Sequence, residues 1–211
     1  MEVSVQFIRR LSDYSSRACI AMLLPAEPQP APEEMLRFSQ KHGVILISSP
    51  FPRKGQTVMA CATPDGVFFQ PQCFLSEAEE ALYSPGTDLS VFPTPFGKIA
   101  LCGGADIFQP QYARYAALKG CVLLAVSTKL DDPDLLIPGP WSACQANCLP
   151  TALALPEGGR LILPCVMTDD HSGFGRASFD TDELSAAYDS FPIFHSLNRP
   201  FYRRYREVLE E

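Results

Sequence analysis

Short apolar runs alternate with amphipathic stretches and turn residues along this chain, which predicts strands interleaved with helices. Residues 17–24, Arg-Ala-Cys-Ile-Ala-Met-Leu-Leu, read as a buried strand, and 44–48 as a second. Between them, 32–43 reads as a helix: Pro32, Glu33 and Glu34 open it, Met35, Leu36 and Phe38 supply an apolar face, and Gly43 closes it. Residues 57–63 and 66–69 flank an Asp65-Gly66 hairpin. A short acidic helix is expected over 76–82. Two strands, 89–92 and 98–101, flank a turn at 93–97. Residues 112–119 read as a helix, 121–126 as a strand and 131–140 as a loop. A helix over 142–147 precedes a hairpin of 149–155 with 160–167. Residues 168–175 read as a polar loop and 177–179 as a short strand. Thr181 is placed to cap the next helix, and 201–209 forms the last. Helices among hairpin-paired strands give an α/β chain with a mixed sheet or two sheets. No internal repeat or domain boundary interrupts the pattern, so 1–211 reads as one domain.

Composition narrows the function. The net charge is −7, and the one basic cluster, Arg199 to Arg206, reads as a solvated tail helix. Nucleic-acid binding is not expected. No apolar run approaches the roughly 20 residues of a membrane span, and the start of the chain lacks the pattern of a secretory signal. Eight cysteines occur without a Cys-x-x-Cys pair, and no histidine neighbours the closest two, Cys144 and Cys148. Reduced thiols in a cytoplasmic protein, with no metal or cofactor, are the expectation. His171-Ser-Gly173 lacks the strand-turn-helix context that a serine nucleophile requires.

The stretch from Gly97 to Ser127 carries the most information. It reads strand, tight turn, helix, strand, and it resembles the nucleophile region of the nitrilase, or carbon–nitrogen hydrolase, family. Asp106, Pro110, Arg114, Ala117, Leu118 and Gly120 match that pattern. Three further segments are similar: His42 to Ile47, Thr63-Pro-Asp-Gly66, and the region from Asp182 to Pro200. The resemblance implies a four-layer α-β-β-α sandwich, here trimmed at the N-terminus, with too few residues before the Ile20 strand for a full opening strand and helix. It also implies that a Gly-x-Ser strand after the helix of Gln145 and Asn147 is missing.

Enzymes of that family use a Glu as base, a Lys at the developing charge and a Cys as nucleophile, which attacks a nitrile or amide carbon. The resemblance places Ala26, Gln72 and Gly104 at those three positions. All three are changed. The implied function is a nitrilase-fold pseudoenzyme that acts by binding, with Gln72, Gly104, Ala105, Gln145 and Asn147 as candidate ligand-binding residues. Expected partners are a small amide- or carboxylate-type ligand and a second subunit, either a copy of this chain or an active homologue. The helix after Gly104, at Tyr112, Tyr115 and Ala116, would carry that contact. The alternative is an amide hydrolase with Cys102 as relocated nucleophile and Glu27 as base. Were the strand to run on to 104, Cys102 would share its face. Asp106 and Arg114 are expected to orient the helix, as an ion pair.

Overall fold

The computed structural model describes residues 1–15, 17–25, 28–129, 138–164, 171–173 and 175–190. Thirteen strands are described: β1 (Glu2–Ile8), β2 (Ile20–Leu23), β3 (Ile45–Ile47), β4 (Phe51–Arg53), β5 (Gln56–Thr63), β6 (Gly66–Pro71), β7 (Val91–Thr94), β8 (Gly97–Gly103), β9 (Cys121–Ser127), β10 (Thr151–Leu155), β11 (Gly158–Ile162), β12 (His171–Gly173) and β13 (Gly175–Asp180). The helices are α1 (Pro32–His42), α2 (Glu77–Glu80), α3 (Pro110–Leu118), α4 (Pro138–Asn147) and α5 (Thr181–Ser190). The expected helix over 201–209 and the basic cluster lie outside the described residues.

The strands form two sheets. One runs β13-β1-β2-β3-β5-β4, with β6 added to β5; the other runs β12-β11-β10-β9-β8-β7. In each, a parallel centre is flanked by antiparallel strands: β1, β2 and β3 in the first, β8, β9 and β10 in the second. Alternation along the strands sorts side chains into layers. Val3, Val5, Phe7, Ile20, Met22, Ile99, Leu101 and Leu123 meet between the sheets. Ala21, Leu23, Leu46 and Ala60 face outward beneath Met35 of α1. Ala100, Cys102, Leu124 and Val126 face outward beneath α3 and α4. The result is the expected α-β-β-α sandwich. Close approach of the sheets depends on Gly159, whose Cβ would stand 1.9 Å from the Phe7 ring.

The sequence signals act locally as anticipated at α1. Pro32 stands in the first turn, with Glu33 and Glu34 there and Lys41 and His42 in the last. Gly43 adopts φ 63° and donates its N–H to the Ser39 carbonyl at 2.8 Å.

Several expectations are corrected. The opening strand is present: β1 pairs parallel with β2, with Phe7 opposite Met22. The shortening falls on the β1–β2 connection, where a single 3-10 turn at Leu11–Asp13 takes the place of the implied helix. The strand expected at 149–155 pairs not only with β11 but also, in parallel, with β9, Thr151 lying opposite Leu124. Part of the supposed polar loop at 168–175 is strand, because His171–Gly173 adds to β11. Asp180 caps α5 in place of Thr181, its carboxylate accepting the Asp182 amide at 2.7 Å.

Candidate functional site

β8 delivers the candidate nucleophile position and then ends. Ile99 and Leu101 point between the sheets, while Ala100 and Cys102 point toward the helices. The strand stops at Gly103, and Gly104 takes φ 54°, a left-handed conformation that breaks the alternation. Cys102 therefore does not share a face with position 104. It is fully buried, and burial holds its thiol well above the ordinary range. Glu27, its proposed base, lies outside the described residues, as does Ala26.

A 3-10 turn, Gly104–Phe108, leads into α3, which Pro110 opens. Asp106 in that turn is fully buried. Its Oδ1 accepts the amide of Phe74 at 2.7 Å and that of Cys73 at 2.9 Å. The carboxylate thus ties the turn after β8 to the segment after β6, a clamp through backbone amides where an ion pair with Arg114 was expected. Burial pushes the Asp106 carboxyl up to about 7, against the opposing pull of the Phe74, Cys73 and Gly103 amides.

The clamp sets Gln72 against Gly104. A Cβ built on Gly104 would stand 2.4 Å from Gln72 Nε2 and 2.8 Å from its Oε1. Two of the three positions that the resemblance assigns to the triad thus converge, and the amide of one fills the space of the other's side chain. Gln72 Nε2 donates to the Phe74 carbonyl at 2.7 Å and reaches Glu79 Oε2 at 3.4 Å. Glu79 Oε2 also accepts the amide and hydroxyl of Ser76, both at 2.8 Å. This is the capping box of α2, which accounts for the Ser76–Glu79 pair without catalysis.

Around these residues opens a cleft of about 320 Å³. Gln72, Gly104 and Ala105 line it, as the sequence implied, with Pro50, Phe51, Thr57, Glu79, Tyr83, Thr128 and Lys129 among the other walls. It sits past the carboxyl ends of β8 and β9, where open α/β sheets commonly place ligands. Beneath it, the Ser127 hydroxyl donates to Ser49 Oγ at 2.8 Å, and Ser49 donates to the Leu23 carbonyl at 2.8 Å, joining the two sheets.

Gln145 and Asn147 do not line the cleft, contrary to expectation. Gln145 donates to the Leu163 carbonyl at 2.9 Å, and Asn147 to the Ala143 carbonyl at 2.8 Å. The first ties α4 to the segment after β11, and the second lies within the last turn of α4. Sequence reasoning passed over Glu79, Tyr83 and Lys129; the capping box over 76–79 was the available signal for the first. Among the described residues, no group of three or more His, Cys, Asp or Glu side chains could hold a metal ion. None of the described helices is long and apolar enough to cross a membrane.

No protein-family model and no curated protein sequence matches the chain. Solved structures do. It superposes on the carbon-nitrogen hydrolase of Helicobacter pylori G27 with a TM-score of 0.78, at 13% identity over 96% of this chain and 97% of that one. Saccharomyces cerevisiae Nit3, a member of branch 10 of the nitrilase superfamily, gives 0.77, at 13% identity over 94% and 97%. XC1258 of Xanthomonas campestris, a CN-hydrolase superfamily protein, gives 0.74, at 11% identity over 92% and 96%. Layers, sheet topology and these superpositions agree: the chain has the nitrilase-superfamily fold.

Proposed function

We propose that this chain is a nitrilase-fold pseudoenzyme that binds a small ligand in the cleft and does not hydrolyse it. One observation carries the reading: the Gln72 amide occupies the volume in which a side chain at position 104 would project. The described cleft lining contains no thiol, and its hydroxyls belong to Thr57, Ser76, Tyr83 and Thr128. An attacking thiolate needs a lowered pKa and access. Cys102 has neither, being fully buried with its thiol shifted upward.

Ammonia release from butyramide and acrylamide tests this. The expected result is no release above the protein-free rate at any pH from 6 to 9. Release that Gln72→Ala abolishes would overturn the reading. Release abolished by Cys102→Ser would establish the relocated nucleophile in its place.

The reading includes self-association through the helix layer. Tyr112 and Ala116 are buried, Tyr112 donating its hydroxyl to the Leu101 carbonyl at 2.6 Å, so they do not present a surface. Tyr115, Leu118 and Trp141 do, each more than two-fifths exposed at 42%, 48% and 49%. The abundance of cysteine without a Cys-x-x-Cys pair supports a cytoplasmic setting for such a protein.

A further inference from the structure

The orientation of the Gln72 amide is fixed by its neighbours. Nε2 faces two acceptors, the Phe74 carbonyl and Glu79 Oε2. Reversing the amide would set its oxygen against both, so the nitrogen belongs where it is. Oε1 is then left buried without a hydrogen-bond partner, in a side chain only 2% exposed. Both amide atoms of Gln72 face Gly104, Oε1 standing 2.8 Å from where a Cβ there would lie, and Gln72, Gly104 and Ala105 together line the cleft. A buried carbonyl oxygen without a donor carries an uncompensated desolvation cost, which a ligand's N–H would recover.

From this geometry, and resting on the binding-protein reading of the same cleft, we infer that the ligand presents a primary ammonium group to Gln72 Oε1. Three features select a charged donor over a neutral one. Glu79, the one carboxylate among the described lining residues, is hydrogen-bonded to the same amide. Phe51 and Tyr83 contribute aromatic rings to the walls, and ring faces attract ammonium. The chain's net charge of −7 favours cations in general. Lys129, the one cation among the described lining residues, is exposed, whereas Gln72 lies buried, so the donor group seats at the floor and the ligand's other end faces the rim. A carboxylate set against Gln72 Oε1 would face that acceptor and the Glu79 carboxylate. The carboxylate ligand implied by the family resemblance is thereby disfavoured there, and the cleft volume suits a chain of a few carbons.

Three four-carbon probes separate the possibilities: butylamine, butyramide and butyrate, each titrated at pH 7 into 15N-labelled protein. Butylammonium is expected to shift the Gly104 and Ala105 amides saturably, with a Kd at least about tenfold below those of the other two. That factor is what one charge-assisted hydrogen bond supplies. Gln72→Met keeps the side-chain length and removes the acceptor, and is expected to weaken butylammonium by about tenfold. Glu79→Gln leaves Gln72 in place and is expected to weaken it as well; thermal melts show that each variant is folded. Butyramide or butyrate binding as tightly as butylammonium overturns the inference. So does the absence of any cleft shift, or unchanged affinity in a folded variant of both kinds. Ammonia release from butyramide would instead overturn the binding-only reading, so the two failures are distinct.

Discussion

A side chain at position 104 meets two obstacles. The backbone there has φ 54°, which costs an L-residue roughly 1–2 kcal/mol. The Gln72 amide also stands within 2.4–2.8 Å of the required Cβ. Making room means moving that amide off the Phe74 carbonyl, which forfeits about 0.5–1.5 kcal/mol more. Gly104→Ala is therefore expected to destabilise the protein by about 2–3 kcal/mol in urea unfolding. In a Gln72→Ala background the same substitution is expected to cost only the backbone part, about 1–2 kcal/mol. Equal costs in the two backgrounds would show that the residues do not compete for space. The same crowding bears on any attempt to install a cysteine at 104: the amide must leave before a thiol can project. The resemblance read from the sequence placed Gly104 and Gln72 at the expected nucleophile and lysine positions. It could not supply their packing against one another, because residues 72 and 104 lie on different strands' ends and meet only through tertiary structure.

At the scale of elements, the site is a strand, a turn and a helix, held to a second segment by one carboxylate. The strand-turn-helix pattern of 97–127 was legible because its apolar runs, glycines and proline act locally. The facing of Cys102 was not. An i, i+2 argument holds only while a strand continues, and β8 ends at Gly103. The clamp also escaped the sequence, since Asp106 reaches backbone amides that carry no side-chain signature. It does leave a thermodynamic trace. The folded Asp106 carboxyl releases its proton at about 7, against an ordinary 3.8 in the unfolded chain. Between those values the folded state holds a proton that the unfolded state lacks. Asp106's contribution to stability is thus fully present below about 3.8 and declines as pH rises to about 7, by at most about 1.4 kcal/mol per unit. Asp106→Asn retains an oxygen for the Cys73 and Phe74 amides but does not titrate. Urea midpoints measured from pH 4 to 8 are expected to show this decline in the wild type and a shallower slope in the variant. Parallel profiles would mean that the carboxyl titrates normally and that the clamp is not desolvated.

Across the whole molecule, the layered architecture was readable from period and from the resemblance, while the edges were not. β1 carries a clean alternation, Val3, Val5 and Phe7 against Ser4 and Gln6, although the short front left too few residues for a full opening strand and helix together. Both polar residues are buried. Ser4 accepts the Cys19 amide at 3.1 Å, and Gln6 bonds Asp13 and Ser15, so burial and polarity coexist there. β12, three polar or small residues long, offers no periodicity at all. The outer helix layer poses the remaining question at this scale. Phe108 packs 3.5 Å from where a Cβ on Gly139 would stand, so the turn before α3 and the start of α4 adjoin. Around that junction Phe108 is 40% exposed, and α3 and α4 add Tyr115, Leu118 and Trp141. Exposed large apolar side chains on adjoining elements are characteristic of an interaction surface. A second copy of this chain, as proposed above, would bury them. Trp141 is the chain's only tryptophan, so its emission reports this face alone. Dilution of the wild type is expected to shift that emission to longer wavelength as dimers separate, in step with sedimentation velocity. Tyr115→Glu leaves the tryptophan in place and is expected to give monomers with red-shifted emission at every concentration, since a buried unpaired carboxylate opposes closure of the interface. A wild-type chain that sediments as a monomer throughout, with the emission of the variant, would refute self-association through α3 and α4.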